Sequence, residues 1–206
     1  GNFYQAGNFP LAETMYRQAL EINPSNARIL CMLGKVLKAM EVFDEALKML
    51  QAALLQNSQS ALIHAELGDI YRLMHRPHEA MAHLITGLEL APDSSFIHQT
   101  MGRFFASHHQ LERAASHYRT SLTSDPANQE AMIEVTEVYE KLGRHGHALR
   151  QYKRALEMSP DDPDVHSRLI RLYCKMPDAP PKALSDATMR WAQSQRSTSA
   201  SIRSEE

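Results

Sequence analysis

The sequence predicts an all-α fold, a solenoid of stacked helical hairpins. Three observations carry this expectation. Gly34, Gly68 and Gly102 recur every 34 residues, as do Ala12, Ala46, Ala80, Ala114 and Ala148. Pro92, Pro126 and Pro160 keep the same step, and Pro24 lies 68 residues before Pro92. Each period also holds two apolar stripes at helical spacing: Leu67, Ile70, Tyr71 and Met74, then Ala80, Met81, Leu84 and Leu88. A fixed period of this length marks architectures in which each unit buries its apolar face against the next.

The small slots, a Gly and an Ala in each period, are where the two helices of a hairpin cross. A larger side chain there would push the axes beyond the usual ~8–10 Å. A further slot reads Ala19, Ala53, Gly87, Ser121 and Ala155, all small. The Pro slot falls between hairpins, because proline disfavours a helical residue before it. Helix starts follow it at once: Ser25-Asn26, Asp93-Ser94, Asn128 and Asp162-Pro163 supply N-cap chemistry. These signals predict helix pairs over 27–40 and 44–57, 61–74 and 78–90, 95–108 and 111–124, and 129–142 and 145–158. A remnant hairpin over 1–6 and 9–22 precedes them, and a lone first helix over 163–176 follows. The break Pro177-Asp178-Ala179-Pro180-Pro181 separates this from a short helix over about 181–194. Residues 195–206 are polar and Ser-rich, and are expected to be disordered.

The 206 residues are 43% hydrophobic and 22% charged, which fits a globular chain and not a disordered one. Lys+Arg is 22 and Asp+Glu is 24, so the net charge of −2 lacks the basic excess of a nucleic-acid binder. No apolar run is long enough for a membrane span, and the first residues lack the basic start and apolar stretch of a secretory signal. Cys31 and Cys174 have neither disulfide-framework nor zinc spacing, and free thiols fit a reducing, cytoplasmic setting. The chain begins without Met and in mid-helix, which suggests processing or missing upstream sequence.

The period and residue types resemble the tetratricopeptide repeat. The clearest copy reads His64, Leu67-Gly68, Tyr71, Ala80, Leu84 and Pro92; the next reads His98, Met101-Gly102, Phe105, Ala114, Tyr118 and Pro126. A third reads Met132, Val135, Tyr139, Ala148, Tyr152 and Pro160. The resemblance covers residues 1–176: a partial repeat 1–26, repeats 27–60, 61–94, 95–128 and 129–162, and a half repeat 163–176. Residues 177–194 are the break and capping helix. It implies a right-handed α-solenoid whose first helices line a concave groove for a protein or peptide partner.

On those first helices one slot reads Lys35, Asp69, Arg103, Glu137 and Arg171, alternating in sign at every repeat. A second reads Met32, Glu66, Thr100, Glu134 and Arg168. The alternation predicts ion pairs between neighbouring repeats, a structural role that also leaves a polar track for an extended segment. Arg28, Lys35, Lys38, Arg72 and Arg103 make the N-terminal half of this face basic, while Glu130, Glu134, Glu137 and Glu140 make one later helix acidic. Phe96 shares the inner stripe, either as an aromatic anchor or packed on the preceding loop. The candidate partner-binding set is Arg28, Lys35, Lys38, Asp69, Arg72, Phe96, Gln99, Arg103, Glu137 and Arg171. The carboxylate clamp of chaperone-tail binders is excluded, because its slots hold Cys31, Lys35, Glu66, Phe96 and Thr100. An asparagine ladder is likewise missing from Met32, Glu66, Thr100, Glu134 and Arg168.

Eleven histidines raise a metal question. His64, His98 and His166 occupy the aromatic slot and are expected to pack. His75, His78, His108, His109, His145 and His147 fall near turns within hairpins, without a carboxylate-histidine pattern of metal spacing. No nucleotide-binding, nucleophile-elbow or metalloprotease motif is present, so no cofactor and no catalytic residue is expected. Residues 164–193 are similar to the junction of bacterial O-linked N-acetylglucosamine transferase-like (SPINDLY-type) proteins. The similarity rests on His166-Ser167, Leu169-Ile170, Tyr173, Pro177 and Arg190-Trp191-Ala192; Arg168 and Ala187-Thr188-Met189 depart from it. It implies an alternative role as the substrate-recruiting arm of a glycosyltransferase. The reading preferred on the residues is a non-catalytic interaction scaffold, with end-to-end self-association through apolar solenoid ends as a weaker third.

Overall fold

The computed structural model describes residues 8–177 and 179–203, with side chains through 192. Among them are eleven helices and no strand: α1 Phe9–Ile22, α2 Ala27–Ala39, α3 Phe43–Gln56, α4 Ala61–Leu73, α5 Pro77–Leu90, α6 Ser95–Ser107, α7 Leu111–Ser124, α8 Gln129–Lys141, α9 His145–Met158, α10 Pro163–Lys175 and α11 Pro181–Arg203. The bounds of α1–α10 agree with the repeat-derived helices to within about a residue. The expected helix over 1–6 lies outside the described residues. α11 runs nine residues past its expected end at 194, into the segment expected to be disordered. Its run Gln193–Arg203 contains neither proline nor glycine, so nothing local stops it.

The ends of the helices show why the period is so regular. Asn26, Ser60, Ser94, Asn128 and Asp162 each cap a first helix, accepting from backbone N–H groups two or three residues on. The second helices α3, α5, α7 and α9 have no side-chain cap. Each instead follows a tight turn whose pivot has positive φ: Glu41 (61°), His75 (57°), His109 (58°) and Gly143 (68°), again 34 apart. Beyond the pivot, the N–H groups of Val42, Arg76 and Arg144 donate to the carbonyls of Leu37, Tyr71 and Tyr139 at 2.8–2.9 Å. This is the reversed-chain closure that favours glycine, and three of the four pivots are not glycine.

The chain forms two compact units, Gly1–His108 and His109–Glu206. In the first, each hairpin packs around the small slots. A Cβ added to Gly34 would lie 2.7 Å from Leu50 Cγ, and one on Gly68 2.6 Å from Leu84 Cγ, so the helices cross at contact distance. Leu33, Val36, Leu37, Leu50, Leu67, Ile70 and Leu84 form its core and are essentially sealed from solvent. Of the two stripes of the second full repeat, Met74, Met81 and Leu88 are only half-buried. In the second unit Met132, Val135, Tyr152 and Leu172 are buried where α8, α9 and α10 pack in sequence, and α11 packs on α10 with Ala187 buried.

His64, His98 and His166 do pack, and they also make a hydrogen bond that periodicity alone does not reveal. Each Nε2 meets the carbonyl six residues earlier: Ser58 at 3.3 Å, Pro92 at 2.9 Å and Pro160 at 2.7 Å. A carbonyl only accepts, so each Nε2 carries the hydrogen. The aromatic slot is thus filled by a ring that also satisfies a backbone group of the inter-hairpin turn.

Candidate functional site

The first-helix face of the first unit is built around a buried ion cluster. Lys38 Nζ donates to Glu66 Oε2 at 2.6 Å and to Asp69 Oδ2 at 2.8 Å. Arg72 Nη2 and Nε donate to Asp69 Oδ1 at 2.7 and 3.0 Å. Lys35 Nζ stands 3.3 Å from Glu66 Oε1 and 5.8 Å from the centre of the Phe96 ring. Lys35, Glu66 and Phe96 therefore form one row across α2, α4 and α6, ending in a cation–π contact.

The alternation of sign predicts ion pairs between repeats, and they occur with shifted partners. The partners need not be the equivalent positions 34 apart. Lys35 pairs with Glu66 and Lys38 with Asp69, both 31 residues on, while Lys38 also reaches Glu66, 28 residues on. In the second unit Arg168 hydrogen-bonds Glu137, again 31 apart. Neighbouring first helices are offset by about one turn, which brings residue i beside i+31.

Charge and burial set the ionisation of this cluster. Burial alone would raise the Asp69 pKa, but Lys38 and Arg72 outweigh it and hold the carboxyl at about 2. Burial would lower Lys38, but Glu66 and Asp69 outweigh it and raise the ammonium to about 12. Asp69 and Lys38 are therefore both charged at neutral pH, and their contact is structural. Burial, followed by the Glu66 charge, pushes the neighbouring Cys31 up to about 11, so it is a neutral thiol at physiological pH.

The candidate set divides by accessibility. Arg28 is exposed at the start of α2, and Lys35 and Phe96 are half-buried. Lys38, Asp69 and Arg72 belong to the cluster, Gln99 is buried on α6, and Arg103 is half-buried there. Leu62, in the slot of Arg28 and Phe96, is 41% exposed on α4. Sequence reasoning passed over it, because a leucine in an apolar-rich helix reads as core. In the second unit Glu137 and Arg171 are exposed. They line a recess of about 290 Å³ with Glu140, Lys141, Tyr152, Arg168 and Lys175. Tyr152 Oη and Lys175 Nζ donate to Glu140 Oε1 and Oε2, each at 2.8 Å. The aromatic repeat slot of Tyr152 gave no hint of this polar contact.

Among the described residues, no three His, Cys, Asp or Glu side chains converge as metal ligands, and no helix is long and apolar enough to cross a membrane.

Tetratricopeptide repeat family models match residues 3–65 and 130–172. Most of the 164–193 junction lies beyond the second match and gains no support from it. No curated protein matches the chain. Among solved structures it is similar to TTC0263, a thermophilic tetratricopeptide repeat protein of Thermus thermophilus. The TM-score is 0.76 at 22% identity, covering 82% of this chain and 93% of that one. PilW, a type IV pilus biogenesis factor, gives 0.71 at 20% identity over 94% and 88%. YrrB, described as having an unusual peptide-binding site, gives 0.61 at 17% identity over 92% and 97%. Likeness at these identities establishes the shared fold.

Proposed function

We propose that this chain, a tetratricopeptide repeat protein, is a non-catalytic scaffold that holds a segment of a partner protein against the first-helix faces of its hairpins. The observation that carries this reading is the row Arg28, Leu62 and Phe96 with Lys35 beside it. One cation is exposed and a second is 23% accessible at its side chain; an exposed aliphatic and a half-buried aromatic side chain lie on the same face. The buried cluster of Lys38, Asp69 and Arg72 holds that face in shape, Arg103 adds positive charge on α6, and Gln99 is a buried polar neighbour there. Such a surface fits a segment carrying carboxylates and one apolar anchor. Glu137 and Arg171 offer a separate, mixed-charge surface on the second unit. The peptide-binding site described for YrrB is in keeping with a peptide partner.

A photo-crosslinker placed at Leu62, compared with one at Ile85 on α5, tests the face. Ile85 is 46% exposed, so both positions are accessible. Partner capture from position 62 but not 85, weakened at least tenfold by Arg28→Glu with helical circular dichroism unchanged, is the expected result. Equal capture from position 85 would move binding to the second-helix face.

A further inference from the structure

His64 and His83 make a contact that the binding role does not use. His64 Nδ1 and His83 Nδ1 lie 3.0 Å apart, and the ring centroids are 5.2 Å apart. The rings therefore meet nearly end-on, nitrogen to nitrogen. His64 is 8% exposed and His83 half-buried. The pair sits at a junction of three helices. His83 on α5 stacks on Tyr71 of α4 at 5.5 Å and 10°, and Gln51 of α3 donates to Tyr71 Oη at 3.2 Å.

The proton inventory follows from the acceptor at the far end. His64 Nε2–H donates to the Ser58 carbonyl, so neutral His64 presents a lone pair at Nδ1. His83 Nδ1 must then carry the hydrogen of the shared bond, which leaves His83 Nε2 bare. His83 borders a recess of about 470 Å³ lined by Gln51, Leu54, Leu55, Ser58 and Leu67. A first added proton goes to His83 Nε2 and leaves the bond in place. A second must go to His64 Nδ1, which sets two N–H groups and two positive charges face to face.

A shared metal ion fits the pair less well. Two imidazole nitrogens on a tetrahedral zinc ion stand about 3.3 Å apart with their rings canted toward the metal; here they are closer and end-on.

We propose that the His64–His83 contact is an acid-sensitive latch: closed while the pair holds one shared hydrogen bond, and open once both imidazoles are protonated. It goes beyond the binding role and stands independently of it. The groups around the pair do not oppose opening. Arg76 lies over Tyr71 at 4.8 Å and is paired with Glu79, while Glu66 and Asp69 are engaged by Lys35, Lys38 and Arg72. Burial first, then the nearby His64, hold the His83 pKa below its ordinary value, and no carboxylate contributes. His166 provides an internal contrast. It makes the same carbonyl bond, but its Nδ1 is buried without a hydrogen-bond partner, so it has no latch.

The test is imidazole nitrogen NMR on the intact chain, with amide hydrogen exchange in α5 followed from pH 7.5 to 5. The expected result at pH 7.5 is an Nδ1–H tautomer for His83 and Nε2–H for His64. Opening of α5 then increases by up to about tenfold per pH unit for each proton taken up, in the wild type and not in His83→Phe. The phenyl ring keeps the stacking on Tyr71 and cannot titrate. An Nε2–H tautomer for His83, or the same pH response in His83→Phe, overturns the proposal. The tautomer measurement needs no variant, so it decides the matter even if His83→Phe fails to fold.

Discussion

Lys38 Nζ lies 2.6 Å from Glu66 Oε2, and the Glu66 side chain is 1% exposed. This carboxylate is buried on the strength of cations from the preceding hairpin, and Lys38 is shared between it and Asp69. Lys38→Met leaves both carboxylates without that partner. The expected cost is about 3–5 kcal/mol, because breaking a buried pair strands the other charge. Urea unfolding followed by circular dichroism measures it. Arg76→Met, at a pair whose members are 45% and 42% exposed, should cost under about 1 kcal/mol. Similar losses in the two variants would remove the buried cluster from the account.

The same cluster sets an acid limit. The Asp69 carboxyl is held at about 2, below an unfolded value of about 3.9. A depressed folded pKa contributes stability above the unfolded value, and that stability is lost as pH falls toward the folded one. Unfolding free energy of the wild type should drop between about pH 4 and 2, and Asp69→Asn should flatten that drop. Parallel acid profiles would count against it.

Two helical glycines predict opposite signs for one substitution. Gly68→Ala puts a Cβ 2.6 Å from Leu84 Cγ, with the Ala80 carbonyl 3.3 Å away. Overpacking of this kind costs about 1–3 kcal/mol. Gly146, on α9, has nothing within 4 Å of an added Cβ. Gly146→Ala should therefore stabilise by up to about 1 kcal/mol through helix propensity. Thermal melts of the two variants give the comparison directly.

The turn pivots predict a gain. His75 holds φ at 57°, a conformation that costs an L-residue about 1–2 kcal/mol. His75→Gly relieves that strain but adds freedom to the unfolded chain, so a net gain of about 0.5–1 kcal/mol is expected. Gly143→Ala, at the matching pivot, should lose a comparable amount. A melting temperature unchanged in both would mean that the turns bear no strain.

How far the fold was legible follows from where the information lies. Helix spans came from features that act within a few residues: Asn26, Ser94, Asn128 and Asp162 cap the helices that the period assigns to them. Gly34 and Gly68 identify the crossings, because only a missing side chain lets Leu50 and Leu84 approach so closely. The turn pivots were hidden, since Glu41 and His75 carry no mark of positive φ; only Gly143 does.

The site was legible in its residue types and not in its pairings. The alternation of Lys35, Asp69 and Arg103 announced ion pairs between repeats, yet Lys35 meets Glu66 and Lys38 meets Asp69. The sequence by itself determined the repeat, the helices, the charge of the first-helix face and the aromatic-slot histidines, because local sterics and apolar periodicity specify them. The tertiary structure decided the one-turn offset between neighbouring first helices, the burial of Glu66 and the meeting of His64 with His83. Each depends on how two helices that share no local constraint settle against one another, and packing of whole side-chain surfaces sets that angle.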